Sequence, residues 1–305
     1  MKFWKDPSYR ASFEHARLVT ANYSKSFYIS ARMLPRERRW ATYALYGFCR
    51  YADNLIDNPR QRSVDDLLDE VDFMIRELKR AYRTGESEHP VLQSFIVVAK
   101  RYGIPEEYPL ELFKGVQMDI TKNRYKTFDD LYLFAYRVAG VVGLMMTHVL
   151  GYKDKKAFAY AEKLGIAMQL TNILRDIRED KNMGRIYLPL EDLRHFNVTE
   201  SDILNENMNI DIHKLMRFQI KRAHQYYEEA EKGIPMLERK SQFAIYSSSK
   251  IYRGILRKIE AQEMNPFLGR VFVSQLKKIG ILIHQLVRTR LFPRQKYSLV
   301  LESVN

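Results

Sequence analysis

The sequence has a single cysteine and few glycines or prolines for its 305 residues. Because one cysteine, Cys49, cannot form an internal disulfide, nothing implies folding in an oxidising, secreted compartment. Thirteen glycines and ten prolines are too few for a many-turned all-β fold or a low-complexity chain. The polar start MKFWKDPSYR does not resemble a signal peptide, and no run reaches about 18 apolar residues. We therefore expect a cytoplasmic protein without a membrane-spanning helix.

The charge balance points to an anionic partner. The chain is 46% hydrophobic and 29% charged, as soluble folded proteins are, and carries a formal net charge of +13. Such an excess favours nucleic acids, phosphorylated small molecules or an acidic membrane surface. The basic residues are scattered and form no helix-turn-helix or RNA-binding signature, so a nucleic-acid partner is not expected.

Apolar residues recur at three- and four-residue spacing along almost the whole chain, which predicts helices. No linker or internal repeat divides them, so we predict one all-α domain spanning residues 1–305. Gly85 is predicted to end one of the helices as its C-cap. The predicted helical segments are 11–30, 38–55, 64–82, 90–102, 105–122, 128–151, 154–181, 199–204, 210–231, 235–263 and 267–291.

The most apolar stretch is VAGVVGLMMTHVLGY at residues 138–152. Its length and His148 favour a core helix over a membrane helix. Gly140 and Gly143 lie three residues apart on one face, where they would let another group approach the backbone. Both a ligand and a packed neighbouring helix fit that pattern.

Two pairs of aspartates carry the strongest chemical signal. Asp53 and Asp57 form one pair, and Asp176 and Asp180 form the other. Their i,i+4 spacing places both carboxylates of a pair on one helical face, where like charges repel. A divalent cation would offset that repulsion, and oxygen ligands without His or Cys suit Mg²⁺. The alternative for a single pair is a solvated face or an ordinary salt bridge.

The surroundings of the aspartates favour a diphosphate–Mg²⁺ site. The first pair lies in an apolar, aromatic helix rather than on a charged one. In the second, oxygen-bearing side chains follow one stripe at offsets 0, 3, 7 and 11. Acids that bind metal alternate here with bases that bind phosphate. The stripe is Gln169, Asn172, Asp176 and Asp180, and the bases are Arg50, Arg175, Arg178 and Arg185.

Five blocks in order resemble the head-to-head prenyl synthases, which are the phytoene, squalene and dehydrosqualene synthases. The similarity runs from about Asn22 to Arg290 and includes both aspartate motifs. It implies an isoprenoid-synthase-type helical bundle around a central cavity, with the two motifs facing each other across its mouth. The blocks are SKSFY (24–28), YALYGFCRYADNLID (43–57), MDITKNRYKTFDDLYLFAYRVAGVVGLMM (118–146), QLTNILRDIREDKNMGRIYLP (169–189) and IYRGIL (251–256).

The resemblance also implies roles for individual residues. The expected metal ligands, directly or through water, are Asp53, Asp57, Asn172, Asp176 and Asp180. The expected diphosphate contacts are Arg50, Ser24, Lys25 and Arg270. The residues expected to line or close the site are Tyr46, Tyr136, Gln169, Arg185 and Tyr252. The four aspartates, Arg50 and Tyr136 form the expected catalytic set. For the tyrosines, the alternative is ordinary core packing with a satisfied hydroxyl.

The implied reaction joins two prenyl diphosphates carbon 1 to carbon 1 through a cyclopropyl diphosphate. Mg²⁺ is the expected cofactor, with Mn²⁺ as a substitute. The preferred product is phytoene, a carotenoid precursor, from two geranylgeranyl diphosphates. The alternatives are squalene or dehydrosqualene from farnesyl diphosphate, or simple hydrolysis by a prenyl diphosphate phosphatase. NADPH is expected only if the product is squalene.

Two further expectations concern substrate length and location. By resemblance, a small residue at Ala31 leaves room for a C20 tail, whereas the ring of Tyr43 on the next helix would refill that space. The segment KKIGILIHQLVRTRLFPRQK at 277–296 mixes apolar and basic residues, as a helix on an anionic membrane does. Its alternative is packing on the core. The sequence gives no prediction of the oligomeric state.

Overall fold

The computed structural model describes residues 2–57 and 62–291, except for the side chains at 26, 56–57 and 285–291. Within these ranges the chain forms helices and no β-strand. The helices are α1 (Arg10–Tyr23), α2 (Lys25–Arg32), α3 (Arg36–Asp57), α4 (Val64–Thr84), α5 (Pro90–Tyr102), α6 (Glu107–Thr121), α7 (Phe128–Ala135), α8 (Val141–Leu150), α9 (Ala157–Arg175), α10 (Ile177–Asn182), α11 (Leu190–His195), α12 (Glu200–Leu204), α13 (Ile210–Glu231), α14 (Arg239–Ala261) and α15 (Gln275–Leu291). A π-helical turn at Tyr136–Gly140 joins α7 to α8, and 3₁₀ turns lie at Phe3–Lys5 and Ile234–Met236.

Local sequence sets several helix ends. Ser63 and Asp66 form a capping box at the start of α4, in which each side chain accepts a hydrogen bond from the other's backbone N–H. Gly85 ends α4 in the left-handed conformation, with φ of 85°, which confirms the predicted C-cap. Pro90 begins α5, where its missing N–H costs nothing.

Helix α9 lies at the centre of the bundle and packs against α8, α13 and α14. One large apolar cluster surrounds α9 and α13. A second joins α3, α4, α5 and α6, where the rings of Phe48 and Phe95 stack with centroids 4.1 Å apart. The cavity described below lies between α9 and its neighbours, so the packing of this central helix positions the site.

The structure divides two segments that the sequence pattern had joined. Segment 11–30 separates at Ser24, whose extended backbone caps α2 with its side chain. Segment 154–181 bends at Asp176, which has φ of −106° and ψ of 11°. Hydrogen bonds of 2.9 Å from Asp176 N to Asn172 O and 2.8 Å from Asp180 N to Asp176 O cross this bend. Asn172, Asp176 and Asp180 therefore stay on successive turns despite the change of direction.

Close helix packing accounts for the glycines of the apolar segment. A Cβ atom on Gly143 would lie 2.3 Å from the carbonyl oxygen of Ala161. Opposite it, a Cβ atom on Gly165 would lie 2.1 Å from the carbonyl oxygen of Ala139. Both distances are far below van der Waals contact, so glycine lets the two backbones touch. Gly143 also borders the cavity, and the approach of a ligand to its backbone stays a prediction.

We expect Gly165→Ala to lower the free energy of unfolding by about 1–3 kcal/mol, because the added methyl group forces α9 away from its neighbour. Gly280→Ala is the matched control, because its Cβ would meet nothing within 4 Å. On the helix α15 that change is expected to be neutral or to stabilise by up to about 1 kcal/mol. Urea unfolding of both variants measures the effect, and equal losses at the two positions would contradict the close packing.

One described helical segment, Phe128–Leu150, is long and apolar enough to cross a membrane by length and composition. The sequence had not predicted this segment, because its apolar residues do not form one uninterrupted run. Half of its most apolar window is buried inside the bundle. Buried side chains such as Phe134, Leu144 and Val149 place it in the core, as expected for 138–152.

Candidate active site

A cavity of about 710 Å³ runs through the bundle beside α9. Its size is in the range of ligand-binding pockets. Charged and polar side chains surround one end, here called the mouth, and mainly apolar side chains line the remainder. The mouth is formed by Ser24, Arg50, Asp53, Asp119, Gln169, Asn172, Arg175, Asp176, Glu179, Asp180, Arg185, Tyr252 and Arg270.

Helix α3 brings Arg50 and Asp53 to the mouth, less than one turn apart. The guanidinium carbon of Arg50 lies 4.5 Å from the centroid of the Tyr23 ring, a cation–π contact that orients the base. Asp57 ends the helix, but its side chain lies outside the described residues. The first aspartate motif is therefore represented at the mouth by Asp53.

Asp176 is the most strongly paired carboxylate of the site. Arg175 donates hydrogen bonds of 2.7 and 2.6 Å to its two oxygens, and Arg270 donates two of 2.7 Å. Burial alone would raise the pKa of Asp176, but the hydrogen bonds from Arg175 and Arg270 lower it below its usual value. Arg270 reaches this place from 94 residues away, on the segment that follows α14.

Asp180 lies in the opposite electrostatic situation. Burial, together with the neighbouring carboxylates of Asp176 and Asp119, raises the pKa of Asp180 to about 7. Two carboxylates beside a third that is largely buried disfavour the charged form of the third. A bound cation would reverse that preference, so the cluster favours a cation at the mouth.

Asp119 is a site residue that sequence reasoning did not single out. It is buried on α6, accepts a hydrogen bond from the hydroxyl of Tyr187, and has an oxygen 3.7 Å from Nη1 of Arg185. The available signal was a lone carboxylate between apolar Met118 and Ile120. Without the i,i+4 partner that marked the other aspartates, it resembled a surface residue.

The oxygen-bearing side chains of the mouth form a donor set that fits a divalent metal. The Oδ1 atom of Asn172 and the Oε2 atom of Glu179 are buried at the mouth without a hydrogen-bond partner. Buried oxygens usually find partners, so these two point to a missing donor or cation. Among the described side chains, no three His, Cys, Asp or Glu residues approach closely enough to form a preassembled metal cluster.

Other predicted residues take positions around the mouth. Tyr46 stacks on Phe27 with centroids 4.9 Å apart, and burial raises the pKa of Tyr46 to about 12. Gln169 accepts a hydrogen bond of 3.3 Å from Asn172, which orients the amide of the latter. Ser24 and Tyr252 complete this ring, and burial raises the pKa of Tyr252.

Among the described residues, three that were predicted at the site do not line the cavity. Tyr136 belongs to the π turn and packs against the second apolar cluster, with its ring beside Gly140 and close to Glu162. Lys25 is exposed at the start of α2. Ala31 is buried but outside the lining, where Ser30 stands instead.

Tyr43, the residue that was expected to refill the space at Ala31, is buried in the core. Its ring is 1% exposed and stacks on Tyr28 with centroids 5.3 Å apart. It is not among the cavity-lining residues either. The depth of the cavity is therefore set along a different direction, the axis of α9.

Successive turns of α9 form the apolar wall. From Gln169 at the mouth to Ala157 at the far end, 12 residues at about 1.5 Å each give a wall of about 18 Å. Ala161, Leu164 and Met168 face the cavity between these ends. At the far end, Leu150, Tyr160, Gly233, Ile234 and Leu237 close the cavity.

Comparison with known proteins agrees with this geometry. The sequence profile of the squalene/phytoene synthase family matches residues 20–277. A phytoene synthase from Arthrospira platensis is 38% identical over 92% of this chain and 94% of its own length. A 15-cis-phytoene synthase from Synechococcus elongatus is 36% identical over 88% and 90%.

Solved structures give the same assignment. A dehydrosqualene synthase crystallised with a ligand superposes with a TM-score of 0.86 at 30% identity, over 93% of this chain and 99% of its own. A squalene synthase from Alicyclobacillus acidocaldarius has a TM-score of 0.79 at 26% identity, over 85% and 97%. The all-α fold around a central cavity is thus the isoprenoid-synthase fold expected from the sequence. The chain belongs to the squalene/phytoene synthase family.

Proposed function

We propose that this prenyltransferase-type enzyme joins two molecules of geranylgeranyl diphosphate head to head and forms phytoene, with Mg²⁺ as cofactor. The observation that carries the proposal is the long apolar wall below a polar mouth. An extended carbon chain advances about 1.2 Å per bond, so a C20 tail reaches about 18 Å and a C15 tail about 13 Å. The wall of about 18 Å along α9 fits the longer tail. The similar phytoene synthases support the same product.

At the mouth, we assign the metal to oxygens of Asp53, Asn172, Asp176 and Asp180. Asp57 keeps its predicted role, although its side chain is outside the described residues. When bound, Mg²⁺ would neutralise the diphosphate and make it a better leaving group. Basic side chains at the same opening would neutralise the remaining negative charge of the diphosphate. They are Arg50, Arg175, Arg185 and Arg270.

The apolar wall then controls the fate of the allylic cation. Departure of the first diphosphate leaves a cation that the double bond of the second substrate attacks, and loss of a proton closes a cyclopropane. Departure of the second diphosphate lets this intermediate rearrange, and loss of another proton gives the triene. Water would capture either cation as an alcohol, so side chains such as Leu164, Met168 and Ile173 exclude it.

Product analysis tests the proposal. Purified protein is incubated with geranylgeranyl diphosphate, farnesyl diphosphate or both, with Mg²⁺, and with or without NADPH. We expect a C40 triene from the C20 substrate, formed without NADPH and lost when the metal is chelated. A prenyl alcohol as the main product, or equal activity in chelator, would contradict it.

The second candidate is dehydrosqualene formation from farnesyl diphosphate. The observation favouring it is the close superposition on a dehydrosqualene synthase. Both candidates use the same mouth and differ in how far the tail extends along α9. Only C30 hydrocarbon from the mixed substrates would replace the first candidate by this one.

A further inference from the structure

Large apolar side chains are exposed along one short part of the chain. Leu268, Phe272, Leu276, Ile279 and Ile283 are between 51% and 83% exposed. We call these five residues the C-terminal apolar face. Single exposed apolar residues are common on protein surfaces, whereas a contiguous group marks an interaction surface.

Two parts of the chain contribute these side chains. Residues 269–274, which precede α15, form neither a helix nor a turn, and within them Val271 and Val273 are buried whereas Phe272 between them is exposed. This alternation is that of an extended chain. Leu268 lies just before them at a bend, next to Gly269 with φ of 86°. On α15, positions 276, 279 and 283 follow at i, i+3 and i+7, which is one helical face.

The C-terminal apolar face borders the cavity mouth. Arg270, which binds Asp176 at the mouth, lies between Leu268 and Phe272 in the sequence. Met183, which lines the cavity at the end of α10, is also more than half exposed. The residues that precede α15 therefore bring exposed apolar side chains to the opening through which a lipid-tailed substrate would enter.

The charge of this part of the chain is entirely positive. Residues 264–301 contain no Asp or Glu and seven Lys or Arg. Lys277 and Lys278 stand directly beside the apolar stripe of α15. Basic side chains interleaved with exposed apolar ones complement a surface that is anionic outside and hydrocarbon inside.

We propose that the C-terminal apolar face docks the enzyme on an anionic lipid bilayer, with the cavity mouth toward the lipid. The orientation rests on the proposed function, because an amphiphilic substrate and a hydrocarbon product both partition into a bilayer. The docking itself rests on the exposed residues and their charge. A second copy of the chain is a poorer occupant, because its matching face would bring the same positive charges together.

Co-sedimentation with vesicles tests the docking without substrate. Full-length protein is mixed with phosphatidylcholine vesicles, with or without about one quarter phosphatidylglycerol. We expect binding to the anionic vesicles that weakens in high salt. Two variants should each bind these vesicles at least about tenfold more weakly than the parent protein. They are the triple variant Leu276→Gln, Ile279→Gln, Ile283→Gln and the double variant Lys277→Glu, Lys278→Glu.

Two matched controls separate this surface from general stickiness and net charge. Val64→Gln, Phe73→Gln and Ile210→Gln remove three exposed apolar side chains from α4 and α13. Lys155→Glu and Lys156→Glu change the net charge equally at another exposed site. Both controls should bind as the parent protein does. The proposal would be overturned if the controls lost as much vesicle binding as the α15 variants, or if the α15 variants lost none.

Turnover in detergent micelles keeps the two proposals distinguishable. The α15 variants should retain parental turnover of micellar geranylgeranyl diphosphate, since their residues lie outside the cavity. Normal vesicle binding without any C40 product would contradict the proposed function and leave the docking intact. Loss of both micellar turnover and the folded circular dichroism signal would mean that α15 is structural, which also overturns the proposal.

Discussion

Asp176→Asn is expected to lower turnover by about a hundredfold or more, the scale found when one electrostatic contact to the transition state is lost. The carboxylate has two functions at the mouth. It is a proposed metal ligand, and it holds Arg175 and Arg270 in two bidentate pairs. The amide accepts fewer charge-assisted hydrogen bonds, so both the metal and the arginines lose their fixed positions. Steady-state kinetics at saturating Mg²⁺ measure the effect.

Asp192→Asn is the matched control for that variant. Asp192 is as buried as Asp176, at 7% against 8% exposed, and is likewise held by an arginine, Arg222. It does not line the cavity, so its loss should lower the unfolding temperature while turnover stays within about twofold. Near-normal turnover in the Asp176 variant, or an equal loss in both, would reject the role of Asp176 at the metal.

Ala157→Phe is expected to reverse the ratio of C40 to C30 product. Ala157 is 2% exposed and lines the far end of the cavity, about 18 Å along α9 from Gln169 at the mouth. A phenyl ring there removes room for the last isoprene unit of a C20 tail. Each CH₂ excluded from the pocket costs about 0.8 kcal/mol, so five carbons represent several kcal/mol at the upper limit. Hydrocarbon analysis after competition between equal amounts of the two diphosphates gives the ratio.

Ala81→Phe controls for the strain that any large core side chain introduces. Ala81 is fully buried on α4, a helix that contributes nothing to the cavity wall within the described residues. Overpacking should lower the stability of both variants by about 1–3 kcal/mol. The product ratio should change only for Ala157. An unchanged ratio in a folded Ala157→Phe enzyme would show that the far end does not measure the tail.

Periodic patterns in the sequence predicted most of the helices and the stripe of polar side chains at the mouth, whereas the other residues expected at the site were given by resemblance. Residues that repeat every turn identify themselves, as the stripe from Gln169 to Asp180 did. Contacts between distant segments leave no such pattern. Arg270 was expected by resemblance to bind phosphate, but its pairing with Asp176 was not predicted. The hydrogen bond from Tyr187 to Asp119 was not predicted either.

Three described residues that were expected at the site, Lys25, Ala31 and Tyr136, lie outside the cavity lining. Ala31 was expected by resemblance on the wall of the cavity, where Ser30 stands instead. Tyr136 was also expected by resemblance, and it lies in a π turn, a local change of the helical repeat that a periodic pattern does not reveal. A spacing argument cannot detect a turn with one residue too many.

The π turn at Tyr136–Gly140 makes this part of the chain sensitive to insertions and deletions. It accommodates one residue more than a regular helical turn, so the chain before and after it is offset by a single position. Deleting one residue within the turn would restore a continuous α-helix and rotate everything beyond it by about 100° relative to Phe134. Val142 and Met146 would then leave the cavity wall, and Gly143 would no longer face Ala161. The extra residue therefore keeps two halves of one long helix in phase with different partners, and its loss would be far more damaging than most substitutions at the same place.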